Sequence, residues 1–187
     1  MNKRLTKEQK SEIKEIKYLL GLFGNDLEAI SNSYSGRVRT THLQITKRKL
    51  IVGEIVHWYT FVDEYLSSLM CFYFFGKKKS FIHLWKTKKF KNFNYHILEK
   101  LGFLQKLEFI QSVHEMPKGV YSTILALNGI RNGVAHSFFP ENLKKSKPVF
   151  EGLSVLELEG IIKLNEKMKE VFSFFHEHVH KHLEAIE

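Results

Sequence analysis

Large apolar residues at Ile51, Ile55, Trp58, Val62, Tyr65, Leu69 and Phe72 recur every three or four positions, and this spacing leaves few folds open. It gathers the side chains on one face of an α-helix and scatters them over both faces of a strand. The run predicts a long helix from near Thr41 to Gly76, where glycine supplies a left-handed stop. Glu54, His57, Asp63 and Glu64 interrupt this stretch, so its uncharged part falls short of the ~20 residues needed to cross a bilayer. It reads as a buried helix, with no membrane partner expected.

The same periodicity extends along the chain. Ile13, Ile16, Leu20, Phe23, Leu27 and Ile30 predict a first helix, with Thr6 and Gln9 as a capping box. Tyr95 to Met116 reads as two helical pieces pivoting near Gly102 and stopped by Pro117. Val120 to about Phe138 is helical again, and residues 139–153 form a polar loop. Ser154 and Glu157 predict a second capping box, opening a helix lined by Ile161, Leu164, Met168, Phe172, Phe175, Val179 and Leu183. No alternating stretch of useful length predicts a strand. The expected fold is all-α, an antiparallel helical bundle forming one domain over residues 1–187.

Composition agrees with a packed core. The chain has 187 residues, 43% hydrophobic and 13% aromatic, with three prolines and eleven glycines, which excludes a disordered or collagen-like chain. Its single cysteine, Cys71, forms no intramolecular disulfide, and the first ten residues lack the apolar core of a signal peptide, so the expected location is cytoplasmic.

Twenty-nine Lys and Arg against twenty Asp and Glu give a net charge of +9, which favours polyanionic partners. The surplus is concentrated. A connector at about 77–92 carries Lys77, Lys78, Lys79, Lys86, Lys88, Lys89 and Lys91 and no acid, with Phe81, Trp85 and Phe90 between them. Lysines attract phosphates while exposed rings stack on unpaired bases, so these seven are candidate RNA-binding residues. The plainer alternative is a solvated connector whose aromatics face the core. Arg37, Arg39, Lys47, Arg48 and Lys49 form a second basic cluster.

The chemistry concentrates in Leu127-Asn128-Gly129-Ile130-Arg131-Asn132-Gly133-Val134-Ala135-His136-Ser137. Asn128, Asn132 and His136 follow one another at four-residue steps along one helical stripe, with Arg131 beside the first two. Arg131 and His136 are separated by about 140° and about 7.5 Å, so one helix does not aim both at one atom. A helix crossing its symmetry mate would bring two arginines and two histidines into one cleft. There an imidazole can take a proton from a ribose 2′-hydroxyl or give one to the leaving oxygen, while a guanidinium neutralises the phosphate. No cofactor is required. Asn132 would orient the imidazole or hold a phosphate oxygen, Asn128 supports the stripe, and Glu64 or Asp63 would tune the histidine.

Arg131-Asn132-Gly133-Val134-Ala135-His136 resembles the Arg-x4–6-His signature of the HEPN superfamily, including a polar residue directly after the arginine. The flanking Ala126 to Ile130 and Ser137 to Pro140 are similar to the surroundings of that motif. The resemblance implies a HEPN-like bundle that dimerises through the motif helix. In catalytic members it implies a metal-independent endoribonuclease of toxin–antitoxin, abortive-infection or CRISPR-linked defence, with Arg131 and His136 catalytic. A cognate antitoxin or defence-system protein would be its partner. Members paired with a nucleotidyltransferase antitoxin carry tyrosine two residues after the histidine; Phe138 stands there, so neutralisation by that route is not expected. The alternative is a non-catalytic HEPN-like module that binds RNA or protein.

His176-Glu177-His178-Val179-His180 also matches H-E-x-x-H, two zinc ligands one turn apart with a glutamate base. A zinc hydrolase needs a third ligand downstream and a strand to hold substrate, neither of which the sequence provides. A polar stripe at the end of a helix is the preferred reading.

Overall fold

A 40-residue helix, Gly36–Phe75, dominates the computed structural model, which describes residues 7–22, 27, 30, 32, 35–76, 86–135 and 148–180. The helices are α1 (Lys7–Leu22), α2 (Gly36–Phe75), α3 (Lys88–His96), α4 (Phe103–His114), α5 (Lys118–Ala135) and α6 (Leu158–Phe175). A 3-10 turn, Leu98–Lys100, links α3 to α4, and a π-helical turn, His176–His180, follows α6. The described chain is almost entirely helical, as the apolar spacing predicts. None of its helices is long and apolar enough to cross a membrane.

The chain divides between Leu50 and Ile51 into two units. The first contains α1 and residues 36–50 of α2. Ile30 and Thr46 are buried in it, whereas Ile13 and Leu27 of the expected apolar face are exposed. The capping box at Thr6 and Gln9 falls outside the described residues.

The second unit holds the main core. Ile51, Ile55, Trp58, Val62, Leu69 and Phe72 of α2 are buried and Tyr65 is partly so, as the periodicity requires. The helix stops where expected: Gly76 has φ +75° and its N–H donates to the Phe72 carbonyl at 3.0 Å. Not every neighbouring pair is antiparallel. Tyr59 meets Phe103, Asp63 meets Lys106, and Tyr73 and Phe74 meet Phe109, so α2 and α4 run in the same sense.

Three boundaries differ from expectation. The basic connector is helical from Lys88, because Thr87 Oγ1 accepts the Phe90 N–H at 3.2 Å and Phe90 and Phe93 supply a buried side. In the expected loop, Val149–Phe150 pairs antiparallel with Leu153–Ser154 around Glu151 and Gly152, both at positive φ (47° and 84°). Two left-handed residues in succession make the tight turn whose twist suits a hairpin. Ser154 belongs to this hairpin rather than capping α6: its carbonyl accepts the Glu157 N–H at 3.1 Å, and α6 opens at Leu158. Gly160 then packs so closely on the hairpin that a Cβ there would run into the Ser154 carbonyl group.

Candidate functional site

The site is built on α5. Val120, Thr123, Ile124, Leu127, Ile130 and Val134 are buried, which turns Gly129 and Asn132 to solvent and leaves Asn128 and Arg131 half-buried at the margin. Asn128, Arg131 and Asn132 therefore share one side of a regular helix. His136 lies outside the described residues.

Arg131 is held from two directions. Its Nη1 donates to Asn132 Oδ1 at 3.1 Å, and its guanidinium carbon lies 4.8 Å from the centre of the Tyr59 ring on α2. Tyr59 is in turn stacked on Phe103 of α4, centroids 4.4 Å apart and planes 18° from parallel. Attraction between a cation and a ring face positions the guanidinium without neutralising it. Among the described residues the buried Nε of Arg131 finds no acceptor and no carboxylate pairs with this arginine. A buried unmatched donor costs about 1–3 kcal/mol, so the arrangement is stabilised by other contacts or by a ligand.

Beside this stack, Lys106 is buried and donates to both oxygens of Asp63, at 3.0 and 2.8 Å. Asp63 lies one helical turn beyond Tyr59. Burial holds the Tyr59 hydroxyl above its ordinary 10.0, the positive charge of Arg131 opposes this, and Asp63 reinforces it. Tyr59, Asp63 and Lys106 thus join Arg131 and Asn132 in one polar and aromatic cluster. The sequence signal for Tyr59 was its place beside buried Trp58 and Val62, a turn before Asp63. Nothing in a single sequence showed that Arg131 would lie against it.

Glu64 goes elsewhere. It is exposed and lines a cleft of about 220 Å³ with Ser67, Ser68, Cys71 and Asn94, whereas the carboxylate that acts on Tyr59 is Asp63. A helix turns by 100° per residue, so neighbouring carboxylates serve different surfaces.

The basic segment is described only in part. Lys86, Lys88, Lys89 and Lys91 are exposed, Lys89 with its ammonium 5.3 Å from the centre of the Phe75 ring. Lys77, Lys78, Lys79, Phe81 and Trp85 lie outside the described residues. Phe90 is buried against Phe75, so it backs α3 and is not available to stack on a base.

At the end of α6, the His178 ring stacks on Phe174 at 4.3 Å and its Nδ1 donates to the Phe174 carbonyl at 2.8 Å. Among the described residues no three His, Cys, Asp or Glu side chains are grouped to hold a metal ion.

Comparison with protein-family models, with curated proteins and with solved structures finds no match to this chain.

Proposed function

We propose that the protein is an endoribonuclease of HEPN type, cleaving RNA without a metal at a site shared between two copies of the motif helix. The observation that carries this reading is the state of Arg131, fixed over Tyr59, tied to Asn132 and, among the described residues, left without a counter-ion. An arginine with a purely structural role would be expected to fill its donors with carboxylates or carbonyls. One held in place and left without a counter-ion can offer its remaining N–H groups to an oxyanion.

In the proposed reaction the ribose 2′-oxygen attacks the adjacent phosphorus as the bond to the 5′-oxygen breaks, giving a 2′,3′-cyclic phosphate and a 5′-hydroxyl. Arg131 stabilises the charge on the phosphate, one His136 takes the 2′-hydroxyl proton and the second copy's gives one to the leaving oxygen. Asn132 holds Arg131 by its Oδ1 and keeps its amide for a phosphate oxygen or the imidazole. The biological setting would be a toxin or antiphage effector, restrained by an antitoxin or another defence protein. A non-catalytic RNA-binding module would account for the exposed lysines of α3 and would use Arg131 to hold a phosphate without cutting it.

Purified protein incubated with RNA in EDTA tests the proposal. Cleavage is expected in the parent and lost in His136→Ala and in Arg131→Ala, with helicity and the sedimenting species unchanged. Equal cleavage by parent and His136→Ala would remove the assigned role.

A further inference from the structure

We infer that the C-terminal end of α2, together with α3, forms a stacking platform for single-stranded RNA. The inference rests on the RNA reading above and adds to it a second contact surface, away from Arg131.

Tyr73 and Phe74, in the last turn of α2, have 56% and 48% of their surfaces exposed, high values for adjacent large rings. They are not loose. Tyr73 meets Phe109 edge to face at 5.4 Å, and Phe74 is stacked on Phe109 with centroids 5.5 Å apart and planes 17° from parallel. Phe74 also touches Phe93 of α3 at 5.2 Å. The rings are therefore preorganised from behind by Phe109 and Phe93 and open in front, so stacking a base on them costs little side-chain entropy.

The chemistry around them selects the occupant. Phe93 and Phe75 connect the rings to α3, whose Lys88, Lys89 and Lys91 are exposed, with Lys86 just before it. The acids on these elements are Glu64 of α2, which lines a cleft with Phe90 and Asn94, Glu108, beside Phe109, and Glu99, whose carboxylate accepts from Asn94 at 2.8 Å. Cations thus predominate at the edge of an aromatic surface. A polyanion that also presents flat apolar faces satisfies both parts. Unpaired RNA does so, because its bases are free to stack on aromatic side chains while its phosphates meet lysines. A duplex hides its base faces and would meet the lysines alone.

The test uses the His136→Ala variant of the 187-residue chain, so that the ligand is not consumed, and a fluorescently labelled decamer RNA read by anisotropy. The single strand is expected to bind more tightly than its duplex. Tyr73→Ala and Phe74→Ala are each expected to weaken single-strand binding about tenfold and to leave duplex binding nearly unchanged. Tyr73→Trp, which keeps a ring, is expected to bind as the parent does and to show indole quenching on RNA addition. Circular dichroism confirms folding of each variant.

Absence of single-strand binding in the parent, or equal single-strand affinity in the double alanine variant, overturns the platform. So does sedimentation showing that the alanine variants disrupt self-association while RNA affinity is unchanged, which would make the surface an interface between copies. Cleavage is scored separately in the His136 background. RNA held through Tyr73 and Phe74 but never cut removes the nuclease and keeps the platform; cutting with no contribution from these rings does the reverse.

Discussion

The Arg131 guanidinium lies over the face of Tyr59, 4.8 Å from its centre, and Tyr59 is braced from behind by Phe103. This contact makes Tyr59 a positioning residue for Arg131. A partly buried cation–π contact contributes about 1–2 kcal/mol. Tyr59→Leu is therefore expected to slow RNA cleavage roughly 5–30-fold, whereas Tyr59→Phe, which keeps the ring face, retains most of the rate. Single-turnover cleavage with matched circular dichroism checks this, and equal loss in both variants would assign the effect to the hydroxyl.

The Asp63–Lys106 pair, buried at the lysine and part-exposed at the aspartate, predicts an asymmetric response. Removing Asp63 leaves the Lys106 ammonium without its partner, so Asp63→Ala is expected to destabilise the fold by about 1–3 kcal/mol. Replacing both together, Asp63→Leu with Lys106→Met, is expected to be near neutral. Urea unfolding of the parent, Asp63→Ala and the double variant compares the two costs.

Two glycines should respond in opposite directions. A methyl at Gly160 would collide with the Ser154 carbonyl, so Gly160→Ala is expected to cost about 1–3 kcal/mol as the hairpin is pushed from α6. Gly129 is exposed within α5, and a methyl there would meet no atom within 4 Å, so Gly129→Ala is expected to add about 0.5–1 kcal/mol. Thermal unfolding separates the two. A Gly129→Ala protein that is more stable yet no longer cuts RNA would indicate that the proposed seam between copies needs a bare backbone there.

Cys71 is protected chemically as well as sterically. Burial, reinforced by the charge of Glu64, raises its thiol from 9.0 to about 12, so about one thiol in ten thousand is ionised at pH 8. Iodoacetamide should leave native protein unmodified at that pH and label it after denaturation. The native state keeps this proton where the unfolded chain has released it, so stability is full below pH 9 and falls as the pH rises toward 12. Tyr59 and Tyr65, also raised by burial, steepen the loss above pH 10. Cys71→Ser should flatten the lower part of that decline.

Local spacing made most helices legible, and local chemistry made some of their ends so. Gly76 closes α2 as its type suggests, and Ile55, Val62, Leu127 and Leu164 are buried where a 3.6-residue period places them. The failures have specific causes. The start of α3 was obscured by its lysines, since charge hid the buried pair Phe90 and Phe93. The hairpin escaped because a strand of two residues has no period to detect. For the site, Asn128, Arg131 and Asn132 could be grouped from one helix alone. The ring under Arg131 comes from a helix more than seventy positions earlier, and only tertiary packing brings Tyr59 there.

The long helix α2 carries both the ring beneath Arg131 and the rings at Tyr73 and Phe74, with no proline between them. Fourteen residues at 1.5 Å each make a ruler of about 21 Å, a span of about six stacked nucleotides. The gauge is set by residue count, which no loop can stretch. One alanine inserted between Asp63 and Leu69 would lengthen it by about 1.5 Å and swing its far end through about 100°, so that the proposed platform would no longer line up with the proposed site at Arg131.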